Sequence, residues 1–383
     1  MSSLVLSGGV DPAGAPVTVA ISAGVIAAEA DGPTYDARGL TVAPGLIDLQ
    51  VNGAVGLDLT AEPDRLWDVA AALPRYGVTA FAPTVITSSP DARARAMAVL
   101  AGGPPADWVG ATPLGLHFEG PMIAPARKGA HPPQWLADPA LDLVADWSRA
   151  SGVLIATVAP ELPGALDVIR TLAARDVVVS VGHTEADTAT VLAAVDAGAR
   201  MITHLGNAMP PPLAREPGPI GVALGGPAVG RGGLVAGVIA DGHHLDALMV
   251  SAAWRGLGPG RFLAVTDTTA ALGMPDGPAR LGDQDVLVEN GRVTLADGTI
   301  AGSGASLPQC LRFLRASTDC SLAEAIGACT STAAAVIGDP SRGRLGAGAR
   351  GDLALLDEHL NVVATVVGGR LAHGDLPLMG GKR

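Results

Sequence analysis

Residues 177–184 have the sequence VVVSVGHT and residues 199–204 have the sequence ARMITH, and these two stretches decide the fold. Each is a short, mostly apolar run that ends in a histidine, His183 in the first and His204 in the second. Such runs are typical of buried strands in a parallel sheet. The two histidines are one strand–helix–strand step apart, which predicts that they stand at the ends of neighbouring strands, about 5 Å from each other.

The same pattern occurs at two other places in the chain. Residues 114–121, LGLHFEGP, place Glu119 at the end of an apolar run, and residues 261–268, RFLAVTDT, place Asp267 there. A barrel of parallel strands collects its functional groups at the carboxyl ends of the strands. The sequence therefore predicts that these two carboxylates share one barrel mouth with the two histidines.

The middle of the chain alternates short apolar runs with Ala- and Leu-rich stretches of helical periodicity. The runs are, in order, GLIDLQV, VTAFAPT, PLGLHFEG, GVLIATVAPE, VVVSVGHT, RMITHL, GLVAGVIADG and RFLAVTD. Eight strands that alternate with helices predict an α/β protein with a (β/α)8 TIM-like barrel. Asn290-Gly291 is a strong hairpin signal, so we expect an insertion at residues 281–302, after strand eight. Residues 306–337 are predicted to form closing helices.

The two ends of the chain differ from the middle in their pattern of residues. Residues 1–44 and 346–383 contain short runs of β-branched residues separated by Gly and Pro, which is typical of strands and turns. We therefore predict that both termini together form one small β-sandwich domain. Residues 45–345 are predicted to form the barrel domain.

Composition and charge disfavour several classes of function. The 383-residue chain has a formal net charge of −12 and a pI near 5.0, which disfavours nucleic acid and anionic membranes as partners. No apolar stretch has the roughly 18 residues of a spanning helix, and the first residues lack the basic region of a signal peptide. The three cysteines have no paired spacing. We therefore expect a cytoplasmic protein that acts on a small molecule.

Two histidines and one carboxylate form the type of catalytic zinc site that keeps an open position for water. We predict Glu119, His183 and His204 as the metal ligands, although a single histidine at a strand end is as often an ordinary hydrogen-bonded residue. Asp267 is predicted to take a proton from water and to deliver it to a departing nitrogen. Its alternative role is to cap a helix. His117 shares a strand face with Glu119 and is expected to lie behind the ligands.

The segment after His204 is a candidate lid over the mouth. Residues 205–221, LGNAMPPPLAREPGPIG, offer the amide of Asn207 and the guanidinium of Arg215, a group that suits a phosphate or a carboxylate. The prolines and glycines of this segment predict an ordered, non-helical loop. A proline-rich loop with one arginine is often an ordinary surface connection, and the argument for function comes from its position after a ligand strand.

Further histidines follow other strands of the predicted barrel. In ADGHHLD, after strand seven, the adjacent histidines are expected to point to opposite sides, with His244 rather than His243 facing the substrate. His131 follows strand three and is expected to reach the same pocket. His359 and His373 lie in the predicted terminal domain and are expected in solvent.

Six strings, spanning residues 44–267, carry a resemblance to a known family. They are PGLIDLQVNG, HFEGPMIAPARKGAH, VGHTEAD, THLGNAMPPPLAREPG, ADGHHLD and VTD, in this order, and TIAGSGASL and GRLGAGARGDLALLD extend the match. The chain resembles the N-acetylglucosamine-6-phosphate deacetylases of the amidohydrolase superfamily. The resemblance implies metal-dependent hydrolysis of the N-acetyl group of N-acetylglucosamine 6-phosphate, giving glucosamine 6-phosphate and acetate.

The resemblance also implies roles for individual residues. Glu119, His183 and His204 would bind the metal and Asp267 would transfer the proton. The implied substrate contacts are Ala130, His131, Asn207, Ala208, Arg215, Asp241, Gly242, His243, His244, Ile300, Ala301 and Gly302. A homodimer is implied as well.

The residues at the end of predicted strand one indicate the number of metal ions. Many amidohydrolases have His-x-His there and hold two metals, whereas this chain has Gln50 and Asn52, which are poor zinc ligands. The only lysines, Lys128 and Lys382, lie outside the predicted barrel strands, so no strand lysine can bridge two metals. We predict one divalent metal ion per subunit, zinc in the first place and iron as the alternative.

Two other functions stay open on the sequence alone. The first is another amidohydrolase-type activity, such as opening of a cyclic amide or deamination, which would keep the metal site. The second is a catalytically inactive sugar-phosphate-binding protein, which would be expected to have lost Glu119 or Asp267. Both carboxylates are present.

Overall fold

The computed structural model describes residues 3–226 and 233–379 of the chain. Five short strands come first: β1 (Leu4–Val10), β2 (Pro16–Ser22), β3 (Val25–Ala27), β4 (Thr34–Asp36) and β5 (Thr41–Pro44). Strand β1 pairs antiparallel with β2 and parallel with β4 and β5, so the amino-terminal segment forms a mixed sheet.

The barrel strands, with three short strands among them, come next. They are β6 (Leu46–Val51), β7 (Gly53–Ala54), β8 (Leu57–Asp58), β9 (Val78–Ile86), β10 (Thr112–Pro113), β11 (Leu116–Glu119), β12 (Val153–Val158), β13 (Val178–Val181), β14 (Met201–Ile202), β15 (Val235–Val238) and β16 (Phe262–Ala264). From β6 through β9 and β11 to β16, each barrel strand pairs in parallel with the next. A parallel bridge between Val51 and Thr268 brings the first and last strands together. The predicted (β/α)8 barrel is confirmed.

Helices cover the outside of the barrel, and this is why the strands are buried along nearly their whole length. The helices between strands are α1 (Leu66–Ala72), α2 (Pro90–Gly102), α3 (Ala165–Ala174), α4 (Thr188–Asp196), α5 (Gly218–Gly225) and α6 (Ala247–Leu257). Several begin at a side chain that accepts a backbone N–H. Ser89 caps α2, Asp187 caps α4 and Asp246 caps α6.

The expected non-helical lid is wrong in its last residues. Helix α5 begins at Gly218, so residues 218–221 are helical rather than looped. Pro219 does not prevent this, because a helix leaves its first backbone N–H groups unbonded and tolerates proline in the first turn. Residues 205–217 contain no helix, as predicted.

The insertion after strand eight is a four-stranded antiparallel sheet. Its strands are β17 (Gly277–Leu281), β18 (Gln284–Glu289), β19 (Arg292–Thr294) and β20 (Ile300–Ser303), so it begins before the predicted residue 281. Asn290 and Gly291 form its hairpin turn with φ of 53° and 79°. The closing helices follow as α7 (Leu307–Ser317), α8 (Leu322–Gly327) and α9 (Ser331–Val336).

The carboxyl-terminal strands return to the sheet of the amino terminus. Strand β21 (Leu353–Leu356) pairs antiparallel with β5, and β22 (Val362–Val367) and β23 (Arg370–Gly374) follow at its edge. Side chains from both termini, such as Leu6 and Val366, share one hydrophobic core, as in the predicted sandwich. The domain boundaries at 44/45 and 345/346 stay a prediction. Among the described residues, no helix combines the length and apolar character needed to cross a membrane.

Candidate metal centre and active site

Four side chains singled out in the sequence meet at one end of the barrel. Glu119 is the last residue of β11, and His183, His204 and Asp267 follow β13, β14 and β16 within three residues. Because these strands run parallel in one barrel, their carboxyl ends lie at one mouth. All four residues are buried.

The histidines and Glu119 lie close enough to share one ion. Nε2 of His183 is 3.1 Å from Oε1 of Glu119, and Nε2 of His204 is 3.0 Å from the same oxygen. The two Nε2 atoms are 3.0 Å apart. Ligands at roughly 2.0–2.1 Å from a tetrahedral zinc are about 3.3 Å from one another, so this triangle is close to the size of one face of such a site.

The protonation of His183 shows why a cation fits among these atoms. Its Nδ1 lies 2.7 Å from the carbonyl oxygen of Arg127, and a carbonyl can only accept, so Nδ1 carries the proton. In the neutral ring, Nε2 then presents a lone pair toward Glu119 and His204. Electron-rich atoms that converge in this way need a positive charge between them, and imidazole with carboxylate is a donor set that divalent zinc accepts.

The electrostatics of the centre also favour a bound cation. Burial by itself would raise the pKa of Glu119, but the electrostatic effect of the neighbouring His183 and His204 holds it well below its ordinary value. Burial likewise opposes a charge on His204, yet its hydrogen bond to Glu119 raises its pKa. The carboxylate thus attracts positive charge, which a metal ion would supply in place of a proton.

The backbone of the centre is strained at three of its residues. His183, His204 and Asp267 have φ of 50°, 28° and 52°, in the left-handed region that side chains other than glycine rarely adopt. Each such residue costs on the order of 1–3 kcal/mol and persists where the surrounding structure enforces it. Their concentration at one barrel mouth is typical of a functional site. No described helix begins at Asp267, which removes the alternative that it acts as a helix cap.

Two amide side chains at the carboxyl end of β6 hold the carboxylate of Asp267. Oδ1 of Asp267 accepts a hydrogen bond from Nε2 of Gln50 at 3.0 Å and one from Nδ2 of Asn52 at 2.7 Å. Nε2 of Gln50 also lies 3.2 and 3.3 Å from the oxygens of Glu119. Burial, and then the charge of Glu119, raise the pKa of Asp267 to about 7. Gln50 and Asn52 therefore direct N–H groups toward the carboxylates of Glu119 and Asp267.

A cavity of about 370 Å³ opens above the centre. Of the residues with an implied substrate contact, those that line it are Ala130, His131, Asn207, Ala208, His244, Ile300, Ala301 and Gly302. The lining also includes residues that the sequence did not single out as contacts: Asn52, Ile86, Ala126, Arg127, Gly129, Leu281 and Thr299. Glu119, His183, His204 and Asp267 form part of the same wall.

Four residues with an implied substrate contact do not line the cavity, and their contacts stay predictions. Arg215 is exposed on the loop before α5. Asp241 accepts a hydrogen bond from Nδ1 of His244 at 2.8 Å, so it orients this histidine. Nε2 of His243 lies 3.1 Å from the carbonyl oxygen of Asn290, in the insertion. Gly242 lies in the turn between them.

His131 is held as a neutral ring with a defined proton. Its Nδ1 accepts from the backbone N–H of Thr87 at 3.3 Å and lies 2.8 Å from the hydroxyl of the same residue. Burial, and then the electrostatic effect of the neighbouring His183, hold the pKa of His131 well below its ordinary value. The neutral ring therefore carries its proton on Nε2. His117, as expected, lies behind the ligands, with Nε2 2.8 Å from Oγ1 of Thr157.

Gly302 packs against the backbone of Asp267 and provides a test of the site's rigidity. It has a φ of 64°, and a Cβ there would lie 2.6 Å from Cγ2 of Thr269 and 2.8 Å from the carbonyl oxygen of Asp267. We expect Gly302→Ala to displace Asp267 and to lower kcat by about 10²-fold. Gly298→Ala is the matched control, with a φ of 85° and open space around its Cβ. Equal activity of the two variants would contradict the claim that close packing at Gly302 positions Asp267.

A parallel barrel that holds a buried Glu–His–His centre and an adjacent aspartate at its strand ends defines a class of metal-dependent hydrolases. The protein thus has the fold and the centre of this class. Residues 41–372 match the model of the amidohydrolase family, and the chain belongs to this family, whose members depend on metal.

Individual relatives are similar over most of their length. An N-acetylglucosamine-6-phosphate deacetylase of Homo sapiens is 38% identical over 349 residues, which are 88% of this chain and 84% of the human one. An N-acetylgalactosamine-6-phosphate deacetylase of Shewanella sp. is 33% identical over 357 residues, 90% of this chain and 86% of that protein. A solved structure of an N-acetyl-D-glucosamine-6-phosphate deacetylase mutant from Mycobacterium smegmatis, in complex with N-acetyl-D-glucosamine-6-phosphate, is 32% identical with a TM-score of 0.85. The alignment covers 97% of this chain and 100% of the mycobacterial one.

Proposed function

We propose that this protein hydrolyses the N-acetyl group of N-acetylglucosamine 6-phosphate to give glucosamine 6-phosphate and acetate. The observation that carries the proposal is the buried centre of Glu119, His183 and His204, with Asp267 beside it in one cavity. The first three residues would hold a metal ion that activates water, and Asp267 can handle a proton; these are the two requirements of amide hydrolysis. The similarity to deacetylases of this substrate supports the choice among amides.

We further propose one divalent metal ion per subunit, held by Glu119, His183 and His204. Zinc is the first choice and iron the alternative, because histidine and carboxylate sites do not distinguish these metals sharply. When bound, the cation would acidify water and polarise a carbonyl. Every other task in the reaction falls to side chains of the chain itself.

Asp267 is proposed to move the proton. It takes one proton from the attacking water as the oxygen bonds to the acetyl carbon, and it gives this proton to the nitrogen as the C–N bond breaks. Its Oδ1 is occupied by Gln50 and Asn52, so Oδ2 is the oxygen left for this work. The two amides prevent the carboxylate from rotating.

His131 is proposed to stabilise the charge that develops on the acetyl oxygen. Thr87 occupies its Nδ1, so the remaining donor is the Nε2 proton. A neutral imidazole that stays protonated on Nε2 can donate to this oxygen throughout the reaction. Asn207, Ala208 and His244 are proposed to contact the sugar and its phosphate, His244 being fixed by Asp241.

Acetate release from a panel of sugars tests the proposal. The panel contains N-acetylglucosamine 6-phosphate, its galacto and manno epimers, and unphosphorylated N-acetylglucosamine. We expect the highest kcat/KM with the first. The galacto epimer is a second candidate because of the Shewanella relative, and a higher kcat/KM with it would reassign the substrate. Failure to release acetate from all four would refute deacetylation and leave another amidohydrolase activity or an inactive binding protein.

Arg215 is proposed to bind the 6-phosphate, and a paired experiment tests this. It is exposed and has no ion pair among the described residues, so its guanidinium is free for a ligand. We expect Arg215→Ala to lower kcat/KM for the phosphorylated sugar by about 10- to 100-fold and to change the unphosphorylated reaction little. Arg127→Ala is the control, because this arginine lines the cavity but already pairs with Glu185. Equal losses of kcat/KM on both sugars would contradict the assignment of Arg215 to the 6-phosphate.

Two expectations about the protein in the cell stay proposals. The three cysteines are free and buried, which supports a reducing compartment such as the cytoplasm. The homodimer implied by the resemblance can be tested by light scattering on the metal-loaded protein.

A further inference from the structure

Glu161 is a strand-end carboxylate that the proposed reaction does not use. It follows β12 by three residues, at the end of the run GVLIATVAPE, and so continues the series of acidic and imidazole side chains after barrel strands. It is half-buried, and it is not among the described residues that line the cavity. A role for Glu161 therefore has to come from its contacts with the protein rather than with the substrate.

Both carboxylate oxygens of Glu161 bind the two residues that follow His183. Oε2 accepts a hydrogen bond from the hydroxyl of Thr184 at 2.5 Å, and Oε1 accepts one from the backbone N–H of Glu185 at 2.6 Å. Hydrogen bonds to an ionised group are shorter and roughly twice as strong as those between neutral groups. The segment directly after a proposed metal ligand is thus held at two successive residues by one side chain.

The backbone of His183 has to be held, because its φ of 50° lies in the left-handed region. This conformation is unfavourable for a residue with a side chain and persists where neighbouring contacts enforce it. The carbonyl oxygen of His183 accepts from the N–H of Ala124 at 2.9 Å, and the N–H of Thr184 donates to the carbonyl oxygen of Ala208 at 3.1 Å. Every residue type can make these backbone hydrogen bonds, whereas the two hydrogen bonds of Glu161 depend on its carboxylate.

Glu161 is also linked to the imidazole ring of His183. Glu185, whose N–H is bound by Glu161, forms an ion pair with the guanidinium of Arg127. The carbonyl oxygen of Arg127 accepts from Nδ1 of His183 at 2.7 Å and so fixes the direction of its Nε2. The contacts of Glu161 therefore lead to both the backbone and the ring of His183.

Resting on the metal centre and the deacetylation proposed above, we propose that Glu161 is a positioning residue for the metal ligand His183. Its carboxylate fixes residues 184–185, and this keeps Nε2 of His183 directed toward Oε1 of Glu119. A ligand that is not held in its bound orientation binds more weakly, because ordering it costs free energy at the moment of binding. Outer partners of metal ligands typically contribute a factor of roughly 10–100 to metal affinity.

Substitutions of Glu161 test the proposal through zinc affinity, measured by dialysis against graded zinc concentrations and metal analysis. Glu161→Met removes both acceptors and keeps the length of the side chain, so we expect its zinc affinity to fall by about tenfold or more. Glu161→Gln keeps an oxygen for the N–H of Glu185 and turns its NH2 group to the hydroxyl of Thr184, which can accept. We expect Glu161→Gln to bind zinc within about threefold of the wild type, and Glu161→Met at saturating zinc to recover most of the wild-type kcat.

Glu216 provides the matched control, because it makes the same two types of hydrogen bond away from the metal ligands. It accepts from the backbone N–H and from the hydroxyl of Thr188, at the start of α4. Glu216→Met therefore removes one negative charge and two hydrogen bonds, as Glu161→Met does. We expect both variants to unfold at a lower temperature than the wild type and only Glu161→Met to lose zinc affinity. This difference separates positioning of His183 from a general contribution to stability.

A further variant separates the hydrogen bonds of Glu161 from its negative charge. Glu161→Asp keeps the charge, but its shorter side chain cannot reach both donors, so it should lose zinc affinity as Glu161→Met does. It also replaces Glu161→Met if the latter does not fold. Equal losses of zinc affinity in the Gln and Met variants, with none in the Asp variant, would show that the charge alone attracts the cation and would overturn the inference.

Unchanged zinc affinity in Glu161→Met and Glu161→Asp would overturn the inference, as would an equal loss in Glu216→Met. In these cases the wild type still binds zinc and releases acetate, so the proposed function stands. A wild type that binds zinc but releases no acetate would overturn the deacetylation alone, because the zinc affinities of the variants decide the inference independently. A wild type that binds no zinc would overturn the metal centre and the inference together.

Discussion

An Asp267→Asn variant is expected to release acetate from N-acetylglucosamine 6-phosphate about 10³-fold more slowly than the wild type. Asparagine has the shape of aspartate, and its carbonyl oxygen can keep the hydrogen bonds from Gln50 and Asn52. It cannot accept a proton from water or return one to the departing nitrogen. The loss corresponds to about 4 kcal/mol of transition-state stabilisation.

Three measurements identify the cause of this loss. Single-turnover acetate release reports the chemical step, metal analysis reports the centre, and thermal unfolding reports the fold. We expect the last two to match the wild type, because Asp267 is placed beside the ligand cluster and not within it. Near-normal acetate release with metal bound would assign the proton transfer to another group.

The pH profile of the wild type should show the ionisation of Asp267. Burial, and then the charge of Glu119, raise the pKa of Asp267 to about 7. A cation held by Glu119 would offset that negative charge and lower the pKa of Asp267, so we expect the acid limb of kcat/KM below pH 7. The base must be ionised, so activity falls as the pH falls through this pKa. The Asp267→Asn variant should lack the limb.

The fold could be predicted because each barrel strand has its own local signal. VTAFAPT and VVVSVGHT are apolar because both faces of their strands are covered, and β9 and β13 are buried throughout. The Asn290-Gly291 turn could be predicted for a similar reason, since few residue types accept positive φ. The first turn of helix α5 could not be predicted from the sequence, because proline and glycine are compatible with both a loop and a helix start.

The site could be predicted only where a side chain's chemistry defines its role. Glu119, His183, His204 and Asp267 belong to this group. Arg127 orients His183 through its backbone carbonyl, which every residue type has, so no sequence pattern reports it. The pairing of Asp241 with His244, and of Thr87 with His131, depends on loop geometry that spacing along the chain does not determine. The implied contacts of Arg215 and His243 depend on the same kind of geometry.

A Glu119→Gln variant is expected to lose its metal and nearly all of its activity. The amide keeps the size of the carboxylate but removes the negative charge on the atom that both Nε2 nitrogens face. We expect metal affinity to fall by more than about 10²-fold, a larger loss than removal of an outer hydrogen-bonding partner causes. Dialysis against graded zinc concentrations, followed by metal analysis and acetate release, measures both effects.

Wild-type protein stripped with a chelator is the matched control for this variant. It should regain activity when one equivalent of zinc is returned, whereas Glu119→Gln should not. Affinity of the wild type should fall as the pH falls, because the ligand nitrogens have to be deprotonated to bind metal. Two equivalents per chain would contradict the single-metal centre, because Gln50 and Asn52 turn N–H groups toward Glu119 and Asp267, and an N–H group cannot ligate a second ion.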